Sequence, residues 1–274
     1  MISELKDKVA IITGASEGIG RAVCLALAEH GTKIVLSARN KERLLALQKE
    51  IESKGSQALV VPTDVTDEAA CRNLIKQTVA EYGQLDVLVN NAGQTMWTTM
   101  EEMVDTSIYE RLMRLNFFGS LYCTYYAVPH LKKTQGRIIM VSSLAGIMGI
   151  PARTAYCASK HAMVGFAESL RIELRKSGVS VTIVAPDFVL SEMHRRALDK
   201  EGNPLNESPL QESKIMTSEE CAALIMEAII KRKRLQLTSF RGKLGRFLKL
   251  FAPNLMDKMA AKAIEEKEHY WGRT

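Results

Sequence analysis

Short runs of consecutive apolar residues alternate along the chain with longer stretches in which apolar positions recur every three or four residues. The runs fall at 9–13, 33–37, 58–61, 87–89, 137–141, 179–185 and 235–237. Most are continuous rather than alternating, the pattern of strands buried on both faces of a parallel sheet. The longer stretches, at 19–30, 41–53, 68–82, 104–131, 155–176 and 218–231, carry the helical period. Gly31, Gly55, Gly83 and Gly178 each stand between a helix and the next strand, where a left-handed cap belongs. Repeating β-α units predict an α/β fold: a doubly wound parallel sheet of about seven strands with right-handed crossovers.

Two regions break the rhythm. The stretch 188–214 is polar, holds Pro204 and Pro209, and interrupts the last crossover. Insertions at the carboxyl end of a parallel sheet usually cover a binding crevice, so a substrate loop is expected here, with an idle surface loop as the alternative. The second region is the tail beyond Thr238. The expected organisation is one domain over 1–240 and a helical extension over 241–274.

Composition narrows the class. The 274 residues, 46% hydrophobic and 25% charged, are those of an ordinary globular chain. No apolar run approaches the roughly 18 residues of a membrane-spanning helix. Residues 1–8 lack the basic start and apolar core of a secretory signal, so a cytoplasmic location is the expectation. Five scattered cysteines show no metal-ligand spacing, and neither disulfides nor a metal site is expected. The net charge of +6 is local: residues 231–250 hold eight bases and no acid.

The first strand runs into Gly14-Ala15-Ser16-Glu17-Gly18-Ile19-Gly20, and a helix follows. A glycine-rich strand-to-helix turn brings backbone amides and the helix dipole close to a phosphate. The spacing departs from G-x-G-x-x-G, and a ligand-free tight turn stays open at this point. The same residues spell G-x-S-x-G with Ser16 in the position of a hydrolase nucleophile. That reading also needs an acid and then a late histidine, and only His194 and His269 come late enough.

Further segments follow in order: Asn90-Asn91-Ala92-Gly93, Asn116, Ser143, Tyr156-x-x-x-Lys160 and Pro186. Together with the glycine turn they resemble the short-chain dehydrogenase/reductase family over about residues 6–240. The resemblance implies a seven-stranded Rossmann domain that binds NAD or NADP and moves hydride to or from a carbonyl carbon. Tyr156 and Lys160 lie four apart near a helix start and so share a face. A neighbouring ammonium stabilises phenolate, which brings a tyrosine closer to use as a base at neutral pH. The resemblance assigns Tyr156 as proton donor and acceptor, Lys160 as its helper and a ligand of the nicotinamide ribose, and Ser143 as the hydroxyl that polarises the substrate oxygen. Ser142 competes for that role, and the 13-residue spacing to Tyr156 favours Ser143. Asn116 resembles a helix-bending residue that supports a proton relay, or is purely structural.

For the cofactor, Gly14, Ser16, Gly18, Ile19 and Gly20 would form the phosphate turn. Asn91, Ala92 and Gly93 would flank the adenosine ribose, and Asp64 with Val65 the adenine, unless Asp64 is only a turn residue. Pro186, Val189 and Ser191 resemble the segment that engages the nicotinamide amide, with Asp187 replacing the usual glycine. Strand two ends in Ala38-Arg39, and an Arg there accommodates a 2′-phosphate where an acid would repel it. NADPH is therefore expected over NAD, with Glu17 in the turn as the counter-signal. Met148, Phe188 and Met193, with Met96, Trp97, Leu144 and Leu190, are candidates for an apolar substrate wall, or simply for core.

In the tail, Leu244, Phe247, Leu248 and Phe251 form a helical stripe with Lys243, Arg246 and Lys249 mainly opposite, and another stripe starts at Leu255 beyond Pro253. Such a segment at 243–264 fits an anionic membrane surface, its own domain or a second subunit. Nucleic acid is not expected, because no recognition motif accompanies the bases. The reading is a carbonyl reductase or alcohol dehydrogenase acting on a lipophilic small molecule, and the resemblance implies a homodimer or homotetramer. The alternatives are a membrane-attached scaffold that binds cofactor without turnover, and the serine hydrolase.

Overall fold

Seven parallel strands form one sheet in the order β3-β2-β1-β4-β5-β6-β7. They are β1 Val9–Thr13, β2 Lys33–Ser37, β3 Ala58–Val60, β4 Val87–Asn90, β5 Arg137–Val141, β6 Ser180–Ala185 and β7 Leu235–Leu237. The computed structural model describes residues 4–210 and 215–270, with side chains as far as 262. Residues 211–214 of the expected substrate loop, and the side chain of His269, lie outside the described residues.

The continuous apolar runs are buried on both faces, as a doubly wound sheet requires. One face packs against α1 Gly18–Glu29, α2 Lys41–Ser53 and α7 Ser218–Ile230. The other packs against α3 Glu68–Tyr82, α5 Gly119–Thr134 and α6 Thr154–Glu173. Gly31, Gly55, Gly83 and Gly178 all take positive φ, so each cap stands where the apolar period stops. The strand order reverses between β1 and β4, and a crevice opens there at the carboxyl ends of the strands.

Two elements differ from expectation. The single helix expected over 104–131 begins later, as α4 Ser107–Leu112, and passes through a π-helical stretch, Met113–Phe118, before α5. A π stretch inserts a residue into the helical ladder, which apolar periodicity does not register. The tail forms α8 Phe240–Phe251 and α9 Pro253–Tyr270. Pro253 opens α9 as its first residue, where the missing N–H costs nothing. Among the described residues, no helix is long and apolar enough to cross a membrane.

Candidate active site

The glycine turn links β1 to α1 at the crevice. Gly14 has φ of +65°, and a Cβ there would press on Asn91 and the Ala92 backbone. A Cβ on Gly20 would stand 2.6 Å from Asn91 Nδ2. Thr13 ties this turn to the end of β4: its hydroxyl accepts from Asn91 N at 2.9 Å and Ala92 N at 3.1 Å. Asn91 Nδ2 in turn donates to Thr13 O at 2.9 Å. The side-chain-free cradle at a helix N-terminus fits an anionic phosphate, and Ser16, Gly18 and Ile19 belong to it.

At the next strand ends the catalytic candidates converge. Ser143, Tyr156 and Lys160 line one small cavity of about 70 Å³ together with Ile19, Asn91, Pro186, Val189, Ser191 and Met193. Ser143 sits just beyond β5, and its hydroxyl accepts from Ala145 N at 3.2 Å. Ser142, its competitor, turns to the main chain, its hydroxyl 3.4 Å from Lys160 O. Tyr156 and Lys160 share the inner face of α6, and both are buried. Burial raises the Tyr156 phenol above its ordinary value, while a hydrogen bond from Ser143 and the Arg153 charge pull it down.

Lys160 reaches the end of β5 beside Tyr156. Its ammonium donates to Val141 O at 2.9 Å and lies 5.8 Å from the centre of the Tyr156 ring. Burial lowers its pKa to about 8, so it remains a cation at pH 7. Arg153, a residue the sequence did not single out, stands one turn earlier at the start of α6 and adds a positive charge that favours the Tyr156 phenolate. Asn116 lies in the π stretch, fully buried. Its amide donates to Gln94 O at 3.0 Å and Ser159 Oγ at 2.9 Å, and its Oδ1 accepts from Gln94 N. A Cβ on Gly93 would lie 3.0 Å from Asn116 Oδ1 and 3.5 Å from Lys160 Nζ, so Gly93, Asn116 and Lys160 meet at one point.

Around the adenine side the candidates separate. Asp64 accepts from Thr66 N at 2.9 Å and Thr66 Oγ1 at 2.8 Å, holding a turn. The Val65 side chain packs in the core beside Gly119, and its carbonyl lies 3.4 Å from Cys71 Sγ. Arg39 is exposed at the end of β2. Glu17, the counter-signal, is paired with both Arg43 and Arg196, so its charge is neutralised. Arg196 belongs to the 188–214 stretch, and the pair fastens that stretch over the glycine turn. Ser191 covers the same turn, its Cβ 3.1 Å from the place of a Cβ on Gly18.

Asp187 has a clear role. It accepts from Phe188 N at 2.9 Å, from Ser239 Oγ at 2.8 Å and from Arg241 Nε at 3.1 Å, anchoring the start of α8 to the end of β6. From there α8 lies across the crevice. Gly242 and Gly245 are buried against Leu144 and Met148, so closely that a Cβ on either would collide. Lys249 donates to Ile147 O at 2.5 Å. The tail thus docks on its own domain through its glycines and Met256, while Phe240, Phe247, Leu250 and Phe251 stay exposed.

Beneath the tail lies a cavity of about 720 Å³, whose walls include Trp97, Met148, Phe188, Leu244, Leu248 and Met259. It meets the small cavity at Leu144, Ile150, Arg153, Asp187 and Phe188. Phe188 lines both cavities, Met193 the small one and Met148 the large one. Met96 is instead fully buried core beside Leu198, and Leu190 lines neither cavity.

The sequence pattern of the short chain dehydrogenase family matches residues 8–202. An 11-beta-hydroxysteroid dehydrogenase of Pinus massoniana is 36% identical over 261 residues, covering 93% of this chain and 73% of the relative. A dehydrogenase/reductase SDR family protein 7-like of Dictyostelium discoideum is 32% identical, covering 95% of this chain and 83% of its own. Among solved structures, a short chain dehydrogenase/reductase from Burkholderia phymatum, crystallised with NAD, superposes with a TM-score of 0.82 at 25% identity, covering 92% of this chain and 96% of that one. The chain, with its seven-stranded Rossmann sheet and the glycine turn at its switch point, belongs to the short-chain dehydrogenase/reductase family of oxidoreductases.

Proposed function

We propose that the protein is an NADP(H)-dependent oxidoreductase that reduces a carbonyl, or oxidises the corresponding alcohol, of a lipophilic small molecule. The observation that carries this reading is the adjacency of two spaces: Tyr156, Ser143 and Lys160 line one, and an apolar cavity of about 720 Å³ shares five lining residues with it. A bound nicotinamide cofactor supplies the hydride. The glycine turn would take its phosphates, Asn91, Ala92 and Gly93 its adenosine ribose, and Pro186, Val189 and Ser191 its amide. Tyr156 gives its phenolic proton to the substrate oxygen in reduction and recovers it in oxidation. Ser143 donates a hydrogen bond to the same oxygen, so charge developing there is met by a positioned donor. Lys160 holds the ribose and keeps a positive charge beside the phenol; Asn116 positions the loop at Gln94.

The choice of NADPH rests on Arg39 standing where a 2′-phosphate needs a partner, and on the pairing that removes Glu17 as a repelling charge. The Burkholderia phymatum relative holds NAD. The Pinus massoniana relative carries the name of a steroid dehydrogenase, which agrees with a lipophilic substrate. With the hydrolase pattern absorbed into the phosphate turn, Ser16 has no catalytic part. For the assembly we propose a homodimer or homotetramer built on α5 and α6, which expose Tyr125 and Ile172. For location, a cytoplasmic protein touching anionic membrane through 243–264 fits the exposed apolar and basic tail.

The test is NADPH consumption with carbonyl compounds of graded length. Reduction that strengthens from four to twelve carbons is expected, because each added methylene buried contributes about 0.8 kcal/mol. Absence of reduction across the series contradicts the reading.

A further inference from the structure

We infer that the substrate carries an anionic oxygen group, which Arg153 binds at the mouth between the two cavities; the inference rests on the oxidoreductase reading and narrows its substrate class. Arg153 is only 5% exposed, yet it borders both the small cavity with Tyr156 and the large apolar one. Its guanidinium lies 4.2 Å from the centre of the Trp97 ring and 5.1 Å from that of Phe188. Aromatic faces hold a guanidinium in place but supply no hydrogen-bond acceptor along its edge. Buried Nη2 has no hydrogen-bond partner among the described residues.

The neighbouring carboxylates are engaged or exposed. Asp187 borders the same space but is taken by Phe188 N, Ser239 and Arg241. Glu101 and Glu102 stand on the exposed rim of the large cavity, and Glu102 accepts from Thr99 Oγ1 at 2.9 Å. Two cations lie near the Phe188 ring: Arg241, at 5.6 Å, has an acid, and Arg153, at 5.1 Å, has none among the described residues. Burial lowers the Arg153 pKa to about 10, still well above neutrality, so the group enters the site charged.

A buried cation with an unfilled donor is costly unless an acid completes it. The chain also holds Ala152, just before it, at φ of +57°, an unfavourable conformation for alanine. Among the described residues none accepts from Arg153 Nη2, and Arg153 lines the large apolar cavity. A carboxylate or phosphate near the reacting carbon, with a hydrocarbon body beneath α8, matches both features. Guanidinium pairs well with either anion.

Calorimetric titration of the full chain with decanoate, decyl phosphate and decan-1-ol separates the possibilities without requiring turnover. The two anions identify which acid is preferred, and the alcohol reports the apolar term alone. Wild type is expected to bind at least one anion about tenfold or more tighter than the alcohol. Arg153→Met should bind all three alike, and Arg153→Lys should keep part of the preference. Equal affinities in wild type, or a preference that survives Arg153→Met, would overturn the inference. Should Arg153→Met fail to fold, the wild-type comparison decides alone. Anion preference in a chain that reduces no carbonyl would sustain the site and defeat the oxidoreductase reading, so the two fail separately.

Discussion

At Tyr156 burial and charge oppose each other, and burial prevails: the phenol stays protonated at neutral pH and is ready to donate. The sequence made Tyr156, Lys160 and Ser143 readable because their spacing is local, four residues on one helix and thirteen from a strand end. It did not reveal Arg153 or the bases on Glu17, since those meetings are made through space by separate elements. In the proposed reading, cofactor choice turns on Arg39. Arg39→Ala should weaken NADPH about 10–100-fold, the worth of a charge-assisted hydrogen bond, and leave NADH within about threefold. Fluorescence titration with both cofactors measures it, and equal losses would contradict the assignment.

Among the elements, strands and caps were legible because burial on both faces writes a continuous apolar run and a glycine marks each reversal. The π stretch was not, because Asn116 is polar wherever the ladder shifts. The tail was legible only in part. Its apolar stripe left membrane, own domain and second subunit open, and the closest docking is made by Gly242 and Gly245, which a hydrophobic pattern passes over. Asp187, read as a departure at the nicotinamide segment, is the clamp that brings α8 there. Gly245→Leu should push α8 off Met148 and deform the large cavity. The expected result is a KM raised about tenfold or more for a twelve-carbon substrate and changed less than about threefold for a four-carbon one. Equal effects on both would mean that the tail is no part of the substrate wall.

On the scale of the whole molecule, chemistry and surface charge separate. The crevice at the sheet reversal holds the catalytic candidates, while the bases gather near β7 and on α8. Lys249 is spent on the domain, but Lys243 and Arg246 remain exposed near Phe247 and Leu250. Electrostatic attraction to anionic lipid would add to burial of those apolar side chains. Co-sedimentation with phosphatidylserine-containing vesicles should therefore occur at low salt and fall on truncation after Thr238; no difference between the two chains would reject membrane contact. The central claim is that one buried phenol moves the proton of a carbonyl reduction, and Tyr156→Phe tests it most directly. With NADPH affinity kept within about threefold, the variant should lose at least about 10²-fold in kcat, whereas undiminished reduction by Tyr156→Phe would contradict the account.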